Sequence, residues 1–111
     1  MTKIQIFKQK GKTQGFVVKG HSGYAEEGFD IVCSAISTLS QSVCVGLENV
    51  LNLVPEIKID EKSAYLSCFI ESDDEKVQLL FNTFEKSVEL LLSGDKKLKK
   101  YISLEVKNEI Y

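Results

Sequence analysis

The chain has 111 residues, which is enough for one domain with its own hydrophobic core and without disulfides or a structural metal. Hydrophobic residues make up 43% and charged residues 27%, as in ordinary globular proteins, and the formal net charge is -2. Binding to a nucleic-acid backbone needs clustered positive charge, which this balance does not supply. We therefore expect a single domain over residues 1–111 and no direct contact with nucleic acid.

A β-hairpin is predicted at the start of the chain, where apolar and polar residues alternate. Ile4 and Ile6 mark a first strand over residues 2–8. Residues 8–15 read as a turn because they are polar and contain two glycines. Residues 16–20 then predict the returning strand.

A long amphipathic helix is predicted after the glycine-rich loop at 20–29, because apolar residues begin to recur at steps of three and four. Asp30 is the expected N-cap, since its carboxylate can accept from the amides of the first turn. Cys33 then lies in the first turn, and Pro55 ends the helix by about residue 53. The expected stripe consists of Val32, Ile36, Leu39, Val43, Leu47, Val50 and Val54.

The second half of the chain repeats the change from alternating to helical spacing. Residues 56–60 and 63–71 predict two strands joined at "DEKS", and a second helix starts near "SDDEK", whose acidic residues suit a first turn. Gly94 is the expected end of this helix, and residues 96–106 predict a last strand. The expected helical stripe consists of Val77, Leu80, Phe81, Phe84, Val88 and Leu91.

This β-β-α-β-β-α-β order predicts an α+β fold. Two amphipathic helices and an alternating sheet favour a two-layer sandwich, in which both helices cover one face of a mixed or antiparallel sheet. On the strand at 63–71, the covered face is expected to carry Ala64, Leu66, Cys68 and Ile70.

The three cysteines do not predict a disulfide framework or a metal site. Their number is odd, none forms a C-x-x-C pair, and the chain has only one histidine. Cys44 and Cys68 fall on apolar faces and are expected to pack in the core. We expect no metal or other cofactor.

The expected location is the cytoplasm, where thiols remain reduced. The N-terminus lacks the apolar run of a signal peptide, and no stretch approaches 18 consecutive apolar residues. No membrane association is therefore expected.

The segment from Gly20 to Ser37, "GHSGYAEEGFDIVCSAIS", groups the residues that can carry chemistry. A thiol in the first turn of a helix is close to unpaired amides and the positive end of the helix dipole, which favour a thiolate. His21 can take the proton of Cys33 if the loop folds back, and Ser37 shares the helix face of Cys33. The residues alone also fit a packed cysteine and a surface histidine, which are the commoner roles of these residue types.

The loop between the histidine and the cysteine is predicted to be flexible. Gly20, Gly23 and Gly28 reach backbone angles that other residues avoid. Such a loop can admit a peptide and then close over it, which would exclude water from the site.

The same segment resembles the signature of the bacterial ribosomal-processing cysteine proteases. That signature is a glycine–histidine pair, a short variable loop, G-x-D-I-V-C, and a small-residue helix with a serine four positions after the cysteine. Ser34 stands where the family usually has alanine. The matching positions are Gly20, His21, Gly28, Asp30, Ile31, Val32, Cys33 and Ser37.

The resemblance implies a cysteine endopeptidase that removes a short N-terminal extension from a protein of the large ribosomal subunit. It maps His21 and Cys33 onto the catalytic dyad, and Asp30 and Ser37 onto supporting positions. It also implies a homodimer without a metal. The second subunit would hide the open face of the sheet, where we expect Tyr65, Ser67 and Phe69.

Two other functions remain open at this stage. A non-enzymatic module that docks on a ribosomal protein or on the subunit would need no reactive thiol. A thioesterase would use the same thiol and imidazole for another acyl transfer. Reaction of Cys33 with a peptide-like electrophile would separate a protease from a binding module.

Overall fold

The computed structural model describes residues 1–20 and 29–108, of which residues 29–32 are described by their backbone alone. Two helices and five strands follow one another in the predicted order, β-β-α-β-β-α-β. A π-helical turn extends the first helix and a short 3₁₀ helix precedes the last strand. The elements are β1 (Thr2–Gln9), β2 (Lys12–Lys19), α1 (Phe29–Val45) with the π-helical turn Gly46–Val50, β3 (Glu56–Asp60), β4 (Tyr65–Phe69), α2 (Glu75–Gly94), the 3₁₀ helix Lys96–Lys100 and β5 (Ile102–Lys107).

The five strands form one mixed sheet with the order β3-β4-β2-β1-β5. β1 pairs in parallel with β5, and the other neighbours are antiparallel. β3 and β5 are therefore the two edges. Both helices pack on the same face of the sheet, which confirms the predicted two-layer α+β fold.

One hydrophobic core joins the helices to the sheet. Phe16 of β2 packs on α2, where its ring centroid lies 4.5 Å from that of Phe84 and 6.3 Å from that of Phe81. Cys44 and Cys68 are both buried in this core, as predicted. The other buried members are Ile4, Ile6, Val18, Ile36, Val43, Leu47, Leu66, Val77, Val88 and Ile102.

The predicted stripe of the first helix is wrong at its end. Val50 is 71% exposed and Val54 is 93% exposed. The backbone N–H of Leu51 donates to the carbonyl of Gly46 at 2.9 Å, five residues back. This wider π-helical turn breaks the 3.6-residue period after Leu47, so Leu51 and Leu53 pack against the core in place of Val50 and Val54.

The first hairpin has a shorter turn than the sequence predicted. Lys10 and Gly11 have φ values of 53° and 78°, and they alone connect β1 to β2. Two residues with positive φ fit the type I′ turn, whose twist matches that of the strands. The polar run from Lys12 therefore belongs to β2, where the N–H of Thr13 donates to the Gln78 side chain on α2 at 2.9 Å.

The last strand is also shorter than predicted. The basic run Lys96–Lys100 forms a 3₁₀ helix, whose first turn is capped by the Asp95 carboxylate through the N–H of Lys97 at 3.0 Å. β5 begins only at Ile102, which is buried.

Within the described residues, no helix is long and apolar enough to cross a bilayer.

The open face of the sheet is covered locally by its own side chains. Tyr65 and Phe69 are partly buried and Ser67 is 2% exposed. The rings of Phe7 and Phe69 lie 5.5 Å apart between centroids. Gly15 pairs with Phe7 on one side and with Phe69 on the other, so the two rings meet above a residue without a side chain.

We predict that Gly15→Ala destabilises the protein. A Cβ at this position would collide with the ring of Phe69 and the backbone carbonyl of Cys68. The free energy of unfolding should fall by roughly 1–3 kcal/mol because the backbone carbonyl cannot move aside cheaply. Denaturant unfolding measures this change. Gly94→Ala is the matched control, since nothing lies within 4 Å of its Cβ, and an unchanged stability for Gly15→Ala would contradict the packing described here.

Candidate active site

The first helix begins two residues earlier than the N-cap prediction required, at Phe29 and not at Ile31. Its first residue is Phe29, so Asp30 is the second helical residue and not the residue before the helix. The predicted N-cap role of Asp30 is therefore wrong. Acidic residues are favoured both at the N-cap and within the first turn, and the sequence alone does not separate the two positions.

Cys33 is consequently the fifth residue of α1 and lies in its second turn. The influence of the helix dipole falls off within the first turn, so this position weakens the argument that the helix start alone activates the thiol. The side chain is partly buried and packs against the hydrophobic core. Ser37, one turn further on, is exposed.

A cleft of about 190 Å³ lies between α1 and the β3–β4 hairpin. Cys33 and Ser37 line it from α1, and Gly20 lines it from the end of β2. Three of the residues singled out in the sequence therefore meet at one cavity. Its apolar lining includes Ile36 and Leu66.

Thr2 is the neighbour of the cysteine that the sequence analysis missed. Its hydroxyl lies 3.9 Å from Cys33 Sγ and donates to the carbonyl of Gly20 at 3.3 Å. The residue is 4% exposed. Thr2, Ile4 and Ile6 alternate along β1, which places Thr2 on the helix-covered face. This two-residue alternation was the one signal in the sequence that could have pointed to Thr2.

Two acidic residues also line the cleft without having been predicted. Asp60 is the last residue of β3, and Glu61 begins the turn to β4. Asp60 stabilises that turn, because its carboxylate accepts from the backbone N–H of Lys62 at 3.0 Å. The turn itself was predicted from "DEKS", but its position beside α1 depends on the strand order, which was not predicted.

The remaining predicted site residues cannot be placed in the cleft. His21, Gly23 and Gly28 lie outside the described residues, and the side chain of Asp30 does as well. Gly20 is described and has a φ of 85°, a conformation that favours glycine. Among the described residues, no group of three His, Cys, Asp or Glu side chains could hold a metal ion.

The other two cysteines form a buried pair. A hydrogen bond with Cys44, together with burial, raises the pKa of the Cys68 thiol. The same hydrogen bond lowers the pKa of Cys44, and burial opposes it. Cys68 is 0% and Cys44 is 8% exposed, so neither sulfur is open to a substrate.

A second and larger cavity, of about 620 Å³, lies elsewhere on the molecule. Residues of the open face of the sheet line part of it, among them Lys58, Ser67 and Phe69. None of the described residues that line it is a cysteine. The cleft lined by Cys33 is therefore the better candidate for nucleophilic chemistry, although it is smaller than this second cavity.

We predict that iodoacetamide labels Cys33 ahead of Cys44 and Cys68 in the native protein. Cys33 lines an open cleft, whereas the other two thiols are buried and Cys68 remains protonated at neutral pH. Peptide mapping by mass spectrometry gives the rate at each position. As a control, the unfolded protein should be labelled at equal rates on all three cysteines. Equal rates in the native protein would contradict this arrangement.

Comparison with known proteins identifies solved structures of the same fold. SMU.848 from Streptococcus mutans is 29% identical, with a TM-score of 0.85 over 98% of this chain and 96% of that chain. The ribosomal processing protease Prp from S. aureus, solved in complex with a substrate peptide, is 20% identical, with a TM-score of 0.83 over 96% of this chain and 100% of that chain. Among curated proteins, no sequence matches this chain.

A structure of the S. aureus protease with a covalently linked product peptide is 21% identical, with a TM-score of 0.76 over 96% of this chain and 100% of that chain. At these identities the two S. aureus structures show a shared fold. The family model of the cysteine protease Prp matches residues 1–103, nearly the whole sequence. Together with a thiol that lines an open cleft, this match shows that the chain belongs to the Prp family of cysteine proteases.

Proposed function

We propose that this protease removes a short N-terminal extension from the precursor of a large-subunit ribosomal protein, with Cys33 as nucleophile and His21 as general base. The observation that carries the proposal is the position of Cys33, which lines the cleft together with Gly20. Gly20 directly precedes His21 in the chain. The last described residue before the histidine therefore lies at the wall of the cleft that holds the thiol.

The proposed reaction proceeds through an acyl-enzyme. His21 takes the thiol proton, and Cys33 Sγ forms a bond to the carbonyl carbon of the scissile peptide. The C–N bond then breaks, and His21 returns the proton to the leaving amine. Water, deprotonated by the same imidazole, hydrolyses the thioester and releases the second product. No cofactor takes part in these steps.

The lining of the cleft supports a peptide substrate with apolar side chains. Ile36 and Leu66 are buried side chains of its lining, and Ile59, which also lines the cleft, is 64% exposed. Contact of an apolar side chain with Ile59 would remove the exposed surface of Ile59 from water, which is favourable at about 25 cal/mol per Å². Asp60 and Glu61 add negative charge at the same cavity.

The two supporting positions, Ser37 and Asp30, have different proposed roles. Ser37 is exposed in the cleft, one helical turn from Cys33, and its hydroxyl can orient the peptide by hydrogen bonding. Asp30 lies in the first turn of α1, where a carboxylate is favoured by the helix dipole. We propose that Asp30 supports the site by stabilising the start of the helix that carries the nucleophile.

The relatives support the ribosomal substrate. The S. aureus protease of the same fold was solved with a substrate peptide and with a covalently linked product peptide. Membership of a cysteine protease family argues against a non-enzymatic ribosome-associated module, which would have no use for a thiol in an open cleft. We place the reaction in the cytoplasm, where the substrate is made, and in residues 1–111 as one protease domain.

We also propose that the protein forms a homodimer. The helices cover one face of the sheet, and the other face carries the ring pair Phe7 and Phe69 and, at the other end of β4, Tyr65. A second copy on this face would bury more of Phe69 and Tyr65, which are partly exposed. The proposal does not involve nucleic acid or a membrane.

We predict that Cys33→Ala and Cys33→Ser both abolish cleavage of an extension-bearing precursor while the fold is kept. Neither replacement provides a thiolate to form the acyl-enzyme. Ser34→Ala is the matched control, because Ser34 is exposed and adjacent to the cysteine. Electrophoresis or mass spectrometry of the precursor follows the reaction. Cleavage by Cys33→Ala at the wild-type rate would disprove the assignment of the nucleophile.

His21→Ala is expected to lower the turnover number by roughly 10²–10⁴-fold, the usual contribution of a general base. Lys19→Ala, at an exposed position two residues earlier, should leave turnover unchanged. Steady-state kinetics on the same precursor compares the two variants. If His21→Ala turns over as fast as Lys19→Ala, the imidazole is not the base.

Sedimentation velocity at micromolar protein concentration tests the homodimer. The expected result is a species of twice the mass of the 12.5 kDa chain. Replacing Phe69 with Ser should shift the protein toward the monomer if the open face forms the interface. A monomer for the unmodified protein would reject the dimer without affecting the protease assignment.

A further inference from the structure

Thr2 is a buried polar residue whose side chain faces the nucleophile. Its backbone is fixed by the sheet, since its N–H donates to the carbonyl of Tyr101 at 2.7 Å and it pairs with Ile102 of β5. Its hydroxyl lies between two groups, the carbonyl of Gly20 at 3.3 Å and the sulfur of Cys33 at 3.9 Å. Because Thr2 is 4% exposed, water does not readily replace either contact.

A hydroxyl has one proton and can donate it to one acceptor at a time. While Thr2 donates to the Gly20 carbonyl, the contact with the cysteine requires the S–H of Cys33 to be the donor. That arrangement fits the neutral thiol. Once the thiol has lost its proton, the sulfur can only accept, and the Thr2 hydroxyl must turn toward it to keep the contact.

The backbone of Gly20 lies close to the residue that precedes β1. Gly20 has a φ of 85°, and a Cβ there would lie 2.6 Å from the carbonyl oxygen of Met1. Only glycine fits this close approach without strain. The two groups on either side of the Thr2 hydroxyl thus belong to the residue after β2 and to α1, and rotation of the hydroxyl about its C–O bond is enough to exchange them.

We propose that Thr2 is a positioning residue for the cysteine: its hydroxyl accepts from the Cys33 thiol at rest and donates to the thiolate during the reaction. This proposal rests on the proposed role of Cys33 as nucleophile. Hydrogen bonds to a charged group are roughly twice as strong as those between neutral groups, so the exchange favours the reactive thiolate. It also keeps the sulfur in one orientation in both states.

Other titratable groups share the cleft. Asp60, Glu61 and Tyr65 line it from the β3–β4 hairpin, and the proposed base His21 follows Gly20. A substitution at Thr2 leaves the chemical identity of all these side chains unchanged. A comparison between two Thr2 variants, one with and one without a hydroxyl, therefore isolates the contribution of this single group.

The test compares Thr2→Val, which keeps the shape and removes the hydroxyl, with Thr2→Ser, which keeps the hydroxyl. We expect Thr2→Val to lower kcat and the rate of Cys33 alkylation by iodoacetamide at pH 7 by about 10-fold, the loss of one hydrogen bond to a charged group. KM should change little. Thr2→Ser should recover most of both rates.

Thr83→Val is the matched control, because Thr83 is exposed on α2 and its hydroxyl donates to the Leu79 carbonyl at 2.7 Å. Thermal unfolding of each variant separates loss of folded protein from loss of rate. Wild-type rates in Thr2→Val would overturn the proposal. Equal impairment of Thr2→Ser and Thr2→Val would also overturn it, because packing and not the hydroxyl would then be responsible.

The proposed function can fail separately. If the wild-type protein does not cleave the ribosomal precursor, but alkylation of Cys33 still slows in Thr2→Val and recovers in Thr2→Ser, the role of Thr2 stands and the substrate is wrong. If Cys33→Ala cleaves the precursor normally, the nucleophile is wrong, and the alkylation rates alone decide whether Thr2 controls the thiol.

Discussion

The packing of Ile36 against the sheet is the contact on which the site depends. Ile36 is 1% exposed and belongs to the core shared by α1, α2 and the strands. Burying a side chain of this size contributes about 1.5–3 kcal/mol, and it fixes the rotation of α1 about its axis. Cys33 lies three residues before Ile36 and Ser37 one residue after it, so this rotation directs both side chains into the cleft. The hydrophobic core thus sets the direction of the helix face that carries Cys33, and the polar contact of Cys33 with Thr2 acts within that frame.

Local patterns in the sequence predicted the elements well where propensity and burial agree. α2 is an example, since Asp74 caps it by accepting from the N–H of Lys76 at 2.8 Å and its predicted stripe is buried or packed against the core. The errors occurred where a local pattern has two interpretations. The polar run after Gly11 fitted a turn as well as a strand, and the apolar period could not show that a π-helical turn would expose Val50.

The site was predictable only where its members are close in the chain. Cys33 and Ser37 share a helix face because they are four residues apart, a relation that any helix imposes. Thr2 and Asp60 reach the same cleft through pairings between distant strands, 31 and 27 residues along the chain from the cysteine. Strand order depends on which strands pair along their edges and on which faces the helices cover, and this information is spread over the whole chain. The thiol was therefore predictable, and the groups across the cleft from it were not.

The edges of the sheet have a consequence for how copies of this protein meet. On the edge strand β3, Lys58 lies 3.5 Å from Glu56, and on the opposite edge β5, Lys107 lies 3.6 Å from Glu105. Exposed ion pairs of this kind contribute little to stability. Charged side chains along an edge do, however, discourage the strands of another molecule from extending the sheet, which is a common route to aggregation. These charges therefore disfavour growth of a continuous sheet through either edge, which leaves the faces of the molecule as the surfaces through which a second copy could bind.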